Sequence, residues 1–409
     1  MEEHVQARFI VETLSNAGFI AYYAGGWVRD FLLGHPSDDI DIATNAPPET
    51  IQTLFPKTVP IGLAFGIILV IVDGHEYEVA TFRNDFDYKD GRRPARVEFT
   101  TAEEDAHRRD FTINGMFYDP LKEEVLDFVG GKKDLEAKIL RAIGDPHQRI
   151  KEDRLRMIRA IRLSCRFHFP IEAATEAAIR AHAKELFPAV AIERVVQELE
   201  KGRAFGKLRP MLILLHDYRL LESIFPSLKG VSLAEIERRI EPIKHFPVEA
   251  PLIACLLELF PEQSLEEQLS LCKSLKLSNL DQQFTTFLFH TRELIQEKRP
   301  ITLSEWAYFY ANRFSQLALQ IAAARLDEGG RAAFFTRHEN QITLLSQSIE
   351  RIRTCDPLIK SNDLMAAGIK PGKKMGILLS AAETIAINEQ LHDKKAVLDR
   401  LKSHPEWSV

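Results

Sequence analysis

The sequence predicts an α+β chain: a head of mixed strands and helices over residues 1–145, then helices alone to residue 409. Three observations carry this. Strand-like runs and a hairpin turn crowd into the first part of the chain. Strand signals nearly vanish beyond Asp145-Pro146. Long amphipathic stretches replace them, punctuated by Pro146, Pro170, Pro188, Pro226, Pro247 and Pro261.

In order, residues 4–17 read as a short helix, with Val5, Phe9, Ile10 and Leu14 at helical spacing. Phe19 to Tyr23 is a strand candidate, Trp27 to Leu33 a helix, and Ile40 lies in the next strand. Ile67 to Val72 is the continuous apolar run of a buried strand, and Asp73-Gly74 is a hairpin turn. The return strand, Tyr77 to Phe82, alternates and carries Glu78. Arg83 to Val97 is polar, mixed in charge and contains Gly91 and Pro94, so a long mobile loop is expected there. Helices are expected over 147–167, 172–186, 192–204 and 208–222, with several more to the end. No fixed-period repeat or low-complexity tract stands out.

A chain of 409 residues can bury a sizeable core in more than one domain. Its 45 % hydrophobic and 27 % charged content is ordinary for a globular protein. No apolar run approaches the ~20 residues a membrane span needs. Met1-Glu2-Glu3 shows neither the basic nor the apolar region of a secretory signal. Cys165, Cys255, Cys272 and Cys355 have no metal-ligand spacing, which fits reduced thiols and a cytosolic, cytoplasmic setting. The net charge of −6 disfavours indiscriminate coating of nucleic acid. Between Arg149 and Arg166, however, seven basic residues face only Glu152 and Asp153. One basic cleft on an acidic body is the expected form of any RNA-binding surface.

The chemistry concentrates in a few short runs. Asp39 and Asp41 stand one residue apart, and on an extended strand both carboxylates project from one face. Such a pair suits a hard cation like Mg²⁺, which takes one or two carboxylates plus water and substrate phosphates. Upstream, Gly25 and Gly26 offer unhindered N–H groups, and Arg29 a bidentate phosphate donor. Glu78 is a third acid that either faces Asp39 and Asp41 or is the polar side of its strand. Arg109, Asp110 and Asn114 sit at a helix start. Asp110 could accept from a ribose 2′-hydroxyl or simply favour the helix dipole, and Arg109 could neutralise triphosphate.

Asp153, Arg156, Arg159 and Arg162 recur at every third residue on an expected continuous helix, so adjacent members are neighbours on a slowly winding row. Asp153 and Arg156 can meet one base edge together: the carboxylate accepts from an exocyclic amine, and the guanidinium donates to a ring nitrogen or carbonyl. Cytosine and adenine both offer an amine beside an acceptor, whereas guanine and uracil place a carbonyl opposite the carboxylate. Arg159 and Arg162 would contact triphosphate or stack on the base. An ion-paired surface helix is the alternative, but no acid lies between Arg154 and Arg166.

Taken together, these runs resemble a known family. Ala24 to Thr44 looks like the first motif of the class II nucleotidyltransferases, which include CCA-adding tRNA nucleotidyltransferases and bacterial poly(A) polymerases. Arg108-Arg109-Asp110-Phe111-Thr112-Ile113-Asn114 looks like its second motif, and Glu152-Asp153-Arg154-Leu155-Arg156 like its base-reading motif, in the family's order over roughly the first 200 residues. The resemblance implies a nucleotidyltransferase-type catalytic head with a small mixed sheet over 1–145. It further implies a base-recognising helical neck over 146–205, then a helical body over 206–290 and tail over 291–409 that bind tRNA. It implies template-independent, Mg²⁺-dependent addition of CCA to tRNA 3′ ends from CTP and ATP, with pyrophosphate released, Asp39 and Asp41 as metal ligands and Glu78 beside them. The 83–97 segment matches the loop that such enzymes use for the terminal adenosine. No protein partner is evident.

Other readings stay open. The same motifs serve A-adding enzymes and poly(A) polymerases, although no strongly basic C-terminal extension is present. A catalytically silent RNA-binding protein could keep the fold. A dinucleotide-binding oxidoreductase is disfavoured, since Gly-x-Gly-x-x-Gly is missing after the first strand. His216-Asp217 resembles half of a phosphohydrolase signature but stands in a Leu-rich helix without companions. Gly368 to Lys374 is either a phosphate-binding turn or an ordinary helix connection.

Overall fold

The computed structural model describes residues 4–35, 37, 39–88, 94–297 and 299–407. The chain divides into two compact units, Met1–Glu237 and Arg238–Val409.

In the first unit, α1 (Val5–Asn16) buries Ala7, Ile10, Val11 and Leu14, the stripe its spacing anticipates. β1 (Ala21–Ala24) runs into α2 (Gly26–Leu32), and β2 (Asp41–Thr44) follows. Then come α3 (Pro48–Leu54), β3 (Thr58–Gly62), β4 (Ile67–Val72) and β5 (His75–Thr81). Asp73 and Gly74 join β4 to β5 with φ of 50° and 82°, the paired positive values of a tight hairpin turn. A separate hairpin, β6 (Arg83–Tyr88) with β7 (Pro94–Phe99), precedes α4 (Ala102–His107), β8 (Phe117–Asp119), β9 (Glu124–Leu126) and α5 (Gly131–Glu136). The expected loop over 83–97 is therefore corrected to a two-stranded ribbon; its tip, residues 89–93, lies outside the described residues. The alternation of Phe86 and Tyr88 with acids, and of Ala95, Val97 and Phe99 with Arg96 and Glu98, is a strand signal; the charge of the segment and its Gly91 and Pro94 pointed to a loop instead.

The seven-stranded sheet has the order β3-β4-β5-β2-β1-β8-β9, antiparallel except for the β2–β5 pair. In that pairing Ala24, the last residue of β1, faces Asp41, the first of β2. The Gly25-Gly26 turn and the Asp41 carboxylate thus emerge at the same end of the sheet. Ala24, Ala43, Phe82, Ala106 and Phe117 form the core beneath that end.

Helices complete the unit: α6 (Pro146–Glu152), α7 (Leu155–Phe167), α8 (Ala173–His182), α9 (Ile192–Ala204), α10 (Leu208–Asp217), α11 (Leu220–Ile224) and α12 (Leu233–Arg239), whose last two residues lie past the unit boundary. Two expected helices are broken. The 147–167 stretch parts at Asp153, whose extended backbone (φ −143°, ψ 103°) ends α6. The 208–222 stretch parts at Arg219, with φ 60°. α7 has two faces: Leu155, Ile158, Ile161 and Cys165 are buried in the core, while Arg156, Arg159, Arg162 and Arg166 face an open cavity.

The second unit is helical throughout its described residues, from α13 (Leu252–Leu257) and α14 (Leu265–Ser274) through α15 (Asn279–Gln296), α16 (Leu303–Ala311), α17 (Ser315–Ala323) and α18 (Glu328–Leu344) to α19 (Ser346–Thr354), α20 (Ser361–Ala366), α21 (Lys373–Asn388) and α22 (Lys394–Leu401). Capping boxes at Ser264/Glu267, Ser278/Asp281 and Thr302/Glu305 start three of these, each satisfying two end N–H groups. Of Gly368 to Lys374, the residues to Gly372 connect α20 to α21 and the two lysines open α21. No helix among the described residues is long and apolar enough to cross a membrane, and all four cysteines are free.

Candidate active site

A cavity of about 530 Å³ opens between the sheet end and the arginine face of α7. Of the residues expected at the site, Gly25, Gly26, Arg29, Asp39, Asp41, Arg109, Asp110, Asn114, Asp153, Arg156, Arg159 and Arg162 all line it. Glu78 does not. The register Ile42↔Val79 nevertheless sets Glu78 beside Asp41 on the parallel pair, so the two share a face.

Asp41 begins β2, while Asp39 lies just before the strand rather than on it. The Asp41 carboxylate opens into the cavity, yet the protein around it crowds water from one side. Desolvation, then the charges of Glu78 and Asp39, push its pKa up to about 6, with Arg109 pulling the other way. The mutual repulsion of these carboxylates outweighs the pull of Arg109. Their donors are hard oxygens, the set that suits a divalent cation of the Mg²⁺ class. Among the described residues no group of three or more metal-binding side chains forms an all-protein cage, so the pair fits a cation completed by water and substrate phosphates.

Gly25 is favoured by its conformation, and the space around it is tight. Its φ is +70°, and a Cβ there would lie 3.1 Å from the Arg109 guanidinium and 3.9 Å from Asp41 Oδ2. Arg29 is buried, hydrogen-bonded to Asp30 and Asn114, and stacked over Phe167 at 4.6 Å. Burial lowers its pKa to about 10 despite Asp30, leaving it a cation at neutral pH. Asp105, only 1 % exposed, holds Arg108 at 2.8 Å and Arg109 at 2.9–3.1 Å, and also accepts from the Arg83 N–H at the foot of the β6–β7 hairpin.

Asp110 Oδ1 accepts from Phe111 N–H and Asn114 Nδ2. Its Oδ2 lies 2.8 Å from Arg159 but out of line for a hydrogen bond, and it is buried without a hydrogen-bond partner. Burial works against its charge, but Arg159 and the Asn114 bond outweigh burial and hold the carboxyl below its usual range.

The Asp153–Arg156 pair differs from expectation in its supports. Asp153 sits in the break between α6 and α7, not on a continuous helix, and Arg194 of α9 clamps it bidentately at 2.7 and 3.1 Å. Asp153 Oδ1 also accepts from Leu155 N–H, leaving Oδ2 with a lone pair. Arg156 donates to Glu152 and to the carbonyls of Arg149 and Arg108. Its Nε and one Nη2 hydrogen remain to donate. Arg159 meets Asp110, and Arg162 is spent largely on buried Glu198. The arginine row is thus ion-paired after all, with acids from three other elements or turns rather than from its own helix face. Arg194, Glu198 and Asp105 went unseen in sequence. Glu198 left a trace, as a charge on the buried stripe of Val195 and Leu199; Asp105 left another, three and four residues before Arg108 and Arg109. His216 bonds the Val231 carbonyl and Asp217 pairs with Arg180, so both are structural.

Three family models match the chain in turn. A "Poly A polymerase head domain" covers residues 21–141, a "Probable RNA and SrmB- binding site of polymerase A" covers 168–231, and a model of tRNA nucleotidyltransferase domain 2 covers 246–401. The CCA-adding enzyme of Streptococcus mutans is 35 % identical over 97 % of this chain and 96 % of its own length. The chain belongs to the CCA-adding enzymes, class II nucleotidyltransferases. The CCA-adding enzyme of Pediococcus pentosaceus is 34 % identical over 97 % of both chains. A solved structure, the Bacillus stearothermophilus CCA-adding enzyme in complex with CTP, superposes with a TM-score of 0.80 at 26 % identity, covering 98 % of each chain. As in that family, a mixed-sheet head leads into a helical remainder.

Proposed function

We propose that this CCA-adding enzyme builds the CCA end of tRNA in the cavity at the sheet end, without a nucleic-acid template. The observation that carries the reading is one cavity holding a carboxylate pair, a glycine turn backed by arginines, and an Asp–Arg pair with matched free valences. The RNA 3′-hydroxyl attacks the α-phosphate of CTP or ATP in line. A new P–O bond forms, the bond to the bridging oxygen breaks, and pyrophosphate leaves. Gly25 and Gly26 N–H groups with Arg29 and Arg109 hold the triphosphate, and Asp110 accepts from the ribose 2′-hydroxyl. Asp153 Oδ2 accepts from the exocyclic amine of cytosine or adenine, while Arg156 donates to the neighbouring ring nitrogen. Enzymes of this family use a divalent metal; here we take it to be Mg²⁺ on Asp39 and Asp41, where it would lower the hydroxyl's pKa and offset charge on the phosphoryl oxygens. Glu78 adds negative charge beside Asp41. The free cysteines support a cytosolic setting.

The test is incorporation from CTP alone, ATP alone and both, on tRNAs ending at the discriminator base, at C and at CC. The reading expects C and then C from CTP, and A from ATP only on the CC end. Addition of A to every end, or a long A tract, would replace CCA addition by A addition or polyadenylation.

A further inference from the structure

The cavity has an end that none of these roles uses. Phe205, at the C-terminal cap of α9, leaves 43 % of its surface open and lines the cavity with Lys201, one turn earlier, and Arg166. The Arg166 guanidinium lies over the Phe205 ring, 4.0 Å from its centroid, and is itself fixed by Asp30 at 3.0 Å and by stacking on Phe167. Asp30 is buried and also holds Arg29. An open aromatic ring with a tethered guanidinium over it is thus presented to the cavity among cations.

Chain extension brings two nucleobases into this space: the incoming one, and that of the RNA's terminal nucleotide. The second changes at every step, from any discriminator base to C and again to C. A hydrogen-bonding reader would reject some of these ends. A flat aromatic face accepts all of them, because every base has a π-face. We propose that Phe205, braced by Arg166, is the stacking platform for the 3′-terminal base of the RNA, with Lys201 beside the adjoining phosphate. The inference rests on the tRNA-extension reading above.

The experiment measures kcat and KM for tRNAs ending at the discriminator base, C and CC, and separately KM for CTP and ATP, in Phe205→Ala, Phe205→Leu and Phe205→Trp. Ala and Leu should raise KM for all three tRNAs about tenfold or more, leave KM for the nucleotides unchanged, and be rescued by Trp. An unchanged tRNA KM in Phe205→Ala overturns the proposal. So does rescue by Leu equal to that by Trp, which would make the ring mere bulk. A raised CTP KM with unchanged tRNA KM would put the ring under the incoming base instead. Wild-type protein that fails to add CCA refutes the parent reading, and dissociation constants of the same tRNAs for wild type and Phe205→Ala then decide the platform, by the same tenfold weakening or its lack.

Discussion

The proposed metal site depends on β2 starting where β1 ends, which sets Asp41 next to the Gly25 turn and beside Glu78 of β5. Stabilisation of transition-state charge there is worth several kcal/mol, so Asp39→Ala or Asp41→Ala should each slow transfer about a hundredfold or more while tRNA binding persists. Loss of about tenfold or less at saturating Mg²⁺ would remove the two-carboxylate site. Asp105 acts one step back. Burial disfavours its charge, yet Arg109 and Arg108 win and hold its pKa below the usual range, so it is an anion across the working pH range. Asp105→Asn keeps the shape but frees both arginines. Raised KM for CTP and ATP with a lowered melting temperature is expected; unchanged nucleotide KM in a folded variant would show that Arg109 needs no tether. These residues differ in legibility. The glycines, Arg29 and the Asp pair sit within one short run, so spacing alone exposed them. Arg194 grips Asp153 from 41 positions away, and nothing local announces such a contact.

At the scale of elements, periodicity located β4, β5 and the helices well, because burial on one face dictates the pattern. It failed where backbone geometry decides, at the break at Asp153 and the turn at Arg219; in the β6–β7 ribbon the alternation is present but was outweighed by charge, Gly91 and Pro94. Replacing residues 84–92 by a short Gly/Ser linker should spare CTP incorporation and impair the final A. Equal loss of both, measured on tRNAs ending at C and at CC, would show that the ribbon serves every step. In the second unit, buried His338 of α18 contacts Tyr310 of α16 through Nδ1 at 2.7 Å, while Nε2 has no hydrogen-bond partner. Burial, then Arg337, lower its pKa from 6.5 to about 4. The unfolded chain therefore takes up the proton first. The stability His338 contributes is present above pH 6.5 and lost as pH falls from 6.5 toward 4, by roughly 1–3 kcal/mol. Melting of the full chain across that range should be steeper in wild type than in His338→Gln; parallel pH profiles would contradict this.

For the whole molecule, the order of strands was beyond reach of the sequence, since β2 pairs with β5 across 35 or more intervening positions. The division between a sheet-bearing head and helices was legible, because strand signals simply stop. What the fold adds is convergence. The sheet end brings the carboxylates and the proposed phosphate-binding groups, the α6–α7 break and α7 bring the proposed base-reading pair, and one cavity holds both. Chemistry and base choice should therefore separate by mutation. The decisive measurement is kcat/KM for CTP, ATP, UTP and GTP on a tRNA ending at C and one ending at CC, in wild type and in Asp153→Ala/Arg156→Ala. A bidentate base contact is worth about 1–3 kcal/mol, so the double variant should lose roughly one to two orders of magnitude of discrimination against UTP and GTP while Arg29, Arg109 and Arg159 keep turnover measurable. A folded, active double variant with the wild-type preference among the four nucleotides would contradict the account.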